Sequence, residues 1–162
     1  MMTILLVDAN DADASLLASA LRVEGFEVMT AKSAHEARST LAAHPTALTI
    51  VDLMLRGCAE SESHGSSGLD FARELRTRYP AMRVLLTSAY YLSERQLERA
   101  DCGVSGFIPK PYDLREVVEF VRNKLAGPPS SRRLWCAEPP SGVSVRPGSE
   151  PADATADVGR AR

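Results

Sequence analysis

Cysteine, net charge and long apolar runs are all scarce in this chain of 162 residues. Its three cysteines are odd in number and widely spaced, which excludes a disulfide-built scaffold and favours a reducing compartment. A formal net charge of −2 argues against a strongly basic nucleic-acid-binding domain. No apolar run approaches the roughly 20 residues of a membrane-spanning helix, and residues 1–6 lack the basic start of a secretory signal. We therefore expect a cytoplasmic protein that binds neither nucleic acid nor membranes.

The apolar content is sufficient for one folded domain. Apolar residues make up 44% of the chain and charged residues 25%, as in ordinary globular domains, and the length is too short for two full cores. Composition changes after residue 126, because residues 127–162 hold six of the ten prolines and four of the ten glycines. We predict a folded domain over residues 1–126 and a disordered tail rich in Pro, Gly and Ser over residues 127–162.

Apolar runs alternate with helical repeats along the predicted domain. Five runs have the composition of strands buried on both faces of a parallel sheet: residues 3–7, 26–29, 48–51, 84–86 and 106–108. Apolar residues at helical spacing fill the intervals, and three pairs have the spacing of a capping box: Ser33 with Glu36, Ser93 with Gln96 and Asp113 with Glu116. Right-handed crossovers then predict an α/β fold, with a doubly wound, five-stranded parallel sheet and helices on both faces.

Polar residues follow four of the predicted strands. Asp8, Asp52, Thr87 and Lys110 stand where those strands end, and function in such sheets collects outside the carboxyl ends of the strands. Two neighbouring carboxylates repel each other, and a hard cation such as Mg²⁺ would relieve that repulsion. A hydroxyl and an ammonium group nearby suit a tetrahedral oxyanion. The pattern therefore suggests phosphoryl chemistry at a carboxylate.

The motifs at these strand ends resemble a known family. They are similar to those of the receiver domain of bacterial response regulators, typified by a chemotaxis regulator, and the resemblance covers residues 3–125. The matching stretches are residues 4–8, 51–55, 85–88 and 106–111. The resemblance implies the flavodoxin-like receiver fold with strand order 2-1-3-4-5, in which Asp8 and Asp52 lie side by side.

The resemblance also implies a role for each site residue. Asp52 would accept a phosphoryl group from a phosphohistidine on a sensor histidine kinase or histidine phosphotransfer protein, and Lys110 would hold the acceptor. Thr87 would turn to the phosphoryl group, leaving space for Phe107. A downstream protein would read this switch on the face formed by the fourth helix, fifth strand and fifth helix. The Lys110–Pro111 peptide would be cis, as in the family.

One departure from the family pattern affects the metal. Ala9 stands where the family usually has a second acid that binds the metal directly, which leaves Asp8, Asp52 and the Met54 carbonyl as candidate ligands. We therefore expect weak Mg²⁺ binding and slow phosphorylation. Asn10, Asp11 and Asp13 could replace the missing acid, but we interpret the two acids as complementing the dipole at a helix start.

Two further departures lie near the acceptor. Arg56 replaces the usual proline, and the loop over residues 57–68 is longer than usual; we interpret it as a solvated polar loop and not a metal site. The resemblance implies that Met54 and Ala89 flank the path of water to the phosphoryl group, and neither can orient a water by hydrogen bonding. Slow self-dephosphorylation is therefore expected.

Three hypotheses for function follow. The first is a stand-alone response regulator that is phosphorylated on Asp52, is not an enzyme beyond self-phosphorylation and self-dephosphorylation, and signals by binding protein partners. The second is a degenerate receiver that binds partners without phosphorylation, which Ala9 favours. The third is a phosphatase of the haloacid dehalogenase type, which also forms an aspartyl phosphate. That chemistry needs an acid two residues after the nucleophile, and this chain has Met54 there.

Overall fold

The computed structural model describes residues 1–55, 68–100 and 103–127. Strands and helices alternate in them: β1 (Thr3–Val7), α1 (Asp11–Val23), β2 (Glu27–Ala31), α2 (Ala34–Ala43), β3 (Leu48–Asp52), α3 (Gly68–Arg78), β4 (Arg83–Ser88), α4 (Glu94–Ala100), β5 (Gly106–Pro109) and α5 (Leu114–Ala126). The five predicted strands are confirmed, although β2 starts at Glu27 and runs to Ala31. Arg56, most of the long loop and, apart from Gly127, the predicted tail fall outside the described residues.

The five strands form one parallel sheet in the order β2-β1-β3-β4-β5, as predicted. Val7 at the end of β1 lies opposite Val51 of β3. Asp52, the last residue of β3, lies opposite Thr87 of β4. The carboxyl ends of the three central strands therefore meet at one edge of the sheet, which we call the carboxyl edge.

A hydrophobic core lies on each face of the sheet. Helices α1 and α5 cover one face, and α2, α3 and α4 cover the other. Successive residues of β1 alternate between them, since Ile4 and Leu6 pack towards α1 and α5 while Leu5 and Val7 pack towards α2 and α3. Burial on both faces explains why the strands are continuously apolar and not alternating.

Polar side chains define the helix starts. Asn10 caps α1, and its side-chain oxygen accepts hydrogen bonds from two backbone amides of the first turn. Ser33 and Asp113 cap α2 and α5 in the same way, as their spacing predicted. The predicted capping box at α2 is only half formed, because Glu36 accepts from the Lys32 amide instead of the Ser33 amide.

The opposite edge of the sheet, where the strands begin, holds two cations. Arg83 at the start of β4 donates from Nη2 to the Gly127 carbonyl oxygen at 2.6 Å, which ties down the end of α5. Lys124 is only 2% exposed, and its Nζ lies 5.3 Å from the centre of the Phe120 ring. Burial lowers the pKa of Lys124, and the neighbouring charge of Arg83 lowers it further.

None of the helices that the structure describes is long and apolar enough to cross a membrane.

Candidate functional site

Two carboxylates lie next to each other at the carboxyl edge. Asp52 is the last residue of β3, and Asp8 directly follows β1, the neighbouring strand. The side chain of Asp8 is 10% exposed and that of Asp52 is 13% exposed, so solvent screens neither charge well. Two adjacent carboxylates repel each other, and a cationic partner offsets this repulsion.

Lys110 is that partner. It follows β5, and its Nζ donates to Asp8 Oδ2 and to Asp52 Oδ2, each at 2.8 Å. Burial disfavours the charged lysine, but the hydrogen bonds to Asp52 and Asp8 outweigh this effect and raise the pKa of Lys110 above its usual value. The Lys110–Pro111 peptide is cis, as the resemblance implied. The ammonium group thus bridges the two acids.

Backbone amides hold the other oxygens of the two acids. Asp8 Oδ1 accepts from the Asn10 amide at 2.8 Å, and Asp52 Oδ1 accepts from the Met54 amide at 2.7 Å. All four carboxylate oxygens therefore have a donor within the protein. The described ranges contain no group of three or more His, Cys, Asp or Glu side chains that could hold a metal ion. Asp8 and Asp52 are the acids that could bind a cation here, and both already bond to Lys110.

The two acids in the first turn of α1 have different environments. Asp11 pairs with Lys32 at 2.7 Å, away from the site. Asp13 Oδ2 lies 3.6 Å from Lys110 Nζ and accepts a hydrogen bond from Asn10 Nδ2 at 3.2 Å. Both acids lie in the first turn of α1, as dipole complementation requires, and Asp13 also belongs to the environment of Lys110. The sequence signal that could have indicated this contact is the position of Asp13, about one helical turn beyond the cap at Asn10.

The two predicted switch residues are both buried. Thr87 Oγ1 donates to the Ile108 carbonyl oxygen at 2.9 Å, so its single proton is directed to β5 and not to Asp52. Phe107 is 0% exposed, and Tyr91 packs edge-on against it with ring centres 6.3 Å apart. Phe107 is thus already inside the core while Thr87 is bonded to β5.

Met54 and Ala89 flank the site, and both are exposed. Ala89 lines a surface groove of about 600 Å³ together with Asp13, Lys110 and Tyr112. Among the described residues that line this groove, Asp13 carries the only carboxylate. The groove therefore provides a route for small molecules from solvent to Lys110 that passes Asp13.

Gly68 is a site residue that the sequence reasoning missed. Its amide donates to the Leu53 carbonyl oxygen at 3.0 Å as α3 begins. A Cβ atom built at this position would overlap the backbone carbonyl of Asp52. Only glycine therefore lets α3 start this close to Asp52.

Comparison with known proteins identifies the family. The family model described as the response regulator receiver domain matches residues 4–122. The chain belongs to the response regulator receiver family. Receivers are signalling domains, which favours the two receiver hypotheses over the phosphatase hypothesis. The predicted fold is the fold of this family.

Curated relatives of this receiver are response regulators. It is 30% identical over 132 residues to the photosynthetic apparatus regulatory protein RegA of Cereibacter sphaeroides, covering 80% of this chain and 67% of RegA. It is 31% identical over 146 residues to the response regulator protein FleR of Pseudomonas aeruginosa, covering 90% of this chain but only 28% of FleR. Both relatives are longer than the stretch that they share with this chain. That this receiver acts as a stand-alone response regulator therefore stays a prediction.

Solved receivers share the fold. The response regulator TrrA of Thermotoga maritima, crystallised in complex with Mg²⁺ and BeF, has a TM-score of 0.64 and 28% identity to this receiver. The match covers 77% of this chain and 99% of TrrA. The strand order that the resemblance implied is thus confirmed, whereas the roles of Asp52, Thr87 and Lys110 stay predictions.

Proposed function

We propose that this receiver is a cytoplasmic phosphoryl-accepting switch in two-component signalling. Asp52 accepts the phosphoryl group from a phosphohistidine on a sensor histidine kinase or a histidine phosphotransfer protein. The observation that carries this proposal is the pair of 2.8 Å hydrogen bonds from Lys110 to Asp8 and Asp52. These bonds hold a nucleophilic carboxylate and a cation together at the carboxyl edge of the sheet.

The transfer exchanges one bond to phosphorus for another. An oxygen of the Asp52 carboxylate bonds to phosphorus while the bond from phosphorus to the donor imidazole breaks, and the imidazole leaves with the bonding electrons. Lys110 offsets the negative charge of the phosphoryl oxygens, as positioned cations do in phosphoryl transfer. The chain's own residues thus supply the nucleophile and one compensating charge.

The signal is proposed to pass from Thr87 to β5. Thr87 gives up its hydrogen bond to the Ile108 carbonyl and donates instead to a phosphoryl oxygen, which releases β5 next to Phe107. Phe107 is already buried against Tyr91. The release of β5 therefore shifts these two rings together, and this shift is the signal. A downstream protein binds the face formed by α4, β5 and α5.

Magnesium is proposed to bind weakly. Receivers typically bind Mg²⁺ at the phosphorylation site, but here Ala9 removes one acid, and Lys110 already bonds both Asp8 and Asp52. A cation would have to compete with this ammonium group for the carboxylate oxygens. Asp8, Asp52 and the Met54 carbonyl remain the candidate ligands, and phosphorylation is accordingly slow.

An intact-mass measurement tests the acceptor. The full chain is incubated with acetyl phosphate and Mg²⁺, and a gain of one phosphoryl group is expected. Asp52→Asn should show no gain while keeping the thermal melting curve of a folded protein, and Asp11→Asn, which changes an acid outside the site, should gain the group normally. Equal labelling of Asp52→Asn would show that another residue is the acceptor.

The degenerate receiver is the second candidate, favoured by one observation. All four oxygens of Asp8 and Asp52 already have donors within the protein. On this hypothesis the α4–β5–α5 face binds its partner without phosphorylation. A natural protein that gains no mass with acetyl phosphate, or from a phosphorylated histidine phosphotransfer protein, would support this candidate over the first.

A further inference from the structure

Asp13 lies in the first turn of α1, and its side chain also faces Lys110 at the site. Its carboxylate lies 3.6 Å from the ammonium group of Lys110 and is 42% exposed, so it contacts both the site and solvent. The Asn10 side chain donates to the same Oδ2 atom at 3.2 Å, which restricts the rotation of Asp13. A carboxylate that is oriented, solvated and beside the phosphoryl-accepting residue has the properties of a general base for water.

The distances keep Asp13 close to the Asp52 carboxylate. Asp13 Oδ2 and Asp52 Oδ2 contact the same nitrogen atom, at 3.6 Å and 2.8 Å. The two oxygens are therefore separated by no more than these distances combined. Because this limit is short, a water about 3–3.5 Å from the phosphorus on Asp52 can also lie about 2.6–3.2 Å from Asp13.

The groove gives water access to Asp13 and Lys110. It opens to solvent between α1 and the turns that follow β4 and β5, and it is lined by Asp13, Ala89 and Lys110. Ala89 has no polar side-chain atom and leaves the path open. Neither Ala89 nor Met54 is able to activate a water, whereas Asp13 carries the only carboxylate among the described residues that line the path.

We propose that Asp13 is the general base for hydrolysis of the aspartyl phosphate on Asp52, which deepens and rests on the proposed function. The water oxygen forms a bond to phosphorus while the bond between phosphorus and the Asp52 oxygen breaks. Asp13 takes the proton that the water loses and later releases it to solvent. The products are inorganic phosphate and the regenerated Asp52 carboxylate. Self-dephosphorylation proceeds through Asp13, while Met54 and Ala89 give no help in orienting the water.

The test compares Asp13→Asn with Asp11→Asn. Both substitutions remove one acid from the first turn of α1, so their effects on the helix dipole are matched. Each full-length protein is phosphorylated with acetyl phosphate, the donor is removed, and loss of the phosphoryl group is followed by intact mass. Asp13→Asn should decay about 10-fold more slowly or slower still, whereas Asp11→Asn should decay like the natural protein.

Two further measurements separate a chemical role from a structural one. Asp13→Glu retains the carboxylate and should restore much of the natural decay rate. The natural protein should decay more slowly in deuterated water, and Asp13→Asn should lose most of this isotope effect. Thermal melting of each variant confirms that it is folded.

The outcomes are distinct. If Asp13→Asn decays as fast as Asp11→Asn, this proposal is wrong while the proposed function stands. If Asp13→Asn fails to take up the group although Asp11→Asn does, Asp13 acts in acceptance and not in hydrolysis. If no protein gains a phosphoryl group, the proposed function fails and this inference fails with it.

Discussion

Each edge of the sheet holds a lysine, half-buried at the carboxyl edge and buried at the opposite edge, and the two lysines have opposite electrostatic environments. At the carboxyl edge, burial of Lys110 is outweighed by hydrogen bonds to Asp52 and Asp8, so its pKa is raised. At the opposite edge, burial and the nearby Arg83 both lower the pKa of Lys124. Lysine is almost never fully buried unless it is paired. The two edges therefore impose pKa shifts of opposite sign on their lysines, and Lys110 is the one that bonds to Asp8 and Asp52.

Removing the charge of Lys110 should have the largest effect. Lys110→Met leaves Asp8 and Asp52 adjacent without a cation, so we expect loss of phosphoryl uptake and a fall in the free energy of unfolding of about 1–3 kcal/mol. Intact mass after acetyl phosphate treatment and urea unfolding measure the two effects. A variant that matches the natural protein in both would remove the distinction between the edges.

Adding an acid to the carboxyl edge should have the next largest effect. Ala9→Asp places a third carboxylate beside Asp8 and Asp52, which lowers the melting temperature without metal through like-charge repulsion. With Mg²⁺ the melting temperature should rise above that of the natural protein, because a ligand that binds the folded state stabilises it. Ala9→Asn is the uncharged control of similar shape. Mg²⁺ binding to the natural protein that equals binding to Ala9→Asp would show that another ligand already replaces the missing acid.

Removing the charge of Lys124 should have the smallest effect. Lys124→Met keeps the buried stem next to Phe120 and removes a charge that burial disfavours. Burial and Arg83 hold the pKa of Lys124 below its usual 10.5, so the natural protein should gain stability as pH rises towards 10.5, and the variant should lack this gain. Urea unfolding at several pH values measures the difference. An equal gain in the variant would show that Lys124 does not cause it.

The fold was largely predictable because its strands carry a strong local signal. Burial on both faces makes β1 and β3 continuously apolar, and the polar residue that ends each run marks the carboxyl edge. Cap residues such as Ser33 and Asp113 act over a few positions of the chain, so the helix starts that they cap could also be predicted from the sequence. The partner of Glu36 was not, since it depends on where the preceding turn places the Lys32 amide.

The site was predictable only as far as the strand ends. Asp8 and Asp52 directly follow apolar runs. Asp13 instead contacts Lys110 from α1, which begins after three residues that follow β1. This contact depends on the angle between α1 and the sheet, which a local sequence pattern does not indicate. The burial of Lys124 could not be predicted for a similar reason. Its stem packs along Phe120, and this contact depends on how α5 is placed against the sheet.

The contact between Gly68 and the end of β3 allows one backbone amide to report on the site. The Gly68 amide is bonded to the Leu53 carbonyl, and the Leu53 amide is bonded to the Thr87 carbonyl, so a continuous ladder joins α3, the residue after Asp52, and β4. An opening of this ladder would expose the Gly68 amide to exchange with solvent deuterium. Amide exchange at Gly68 therefore measures the rigidity of the surroundings of Asp52 without any label on the site itself.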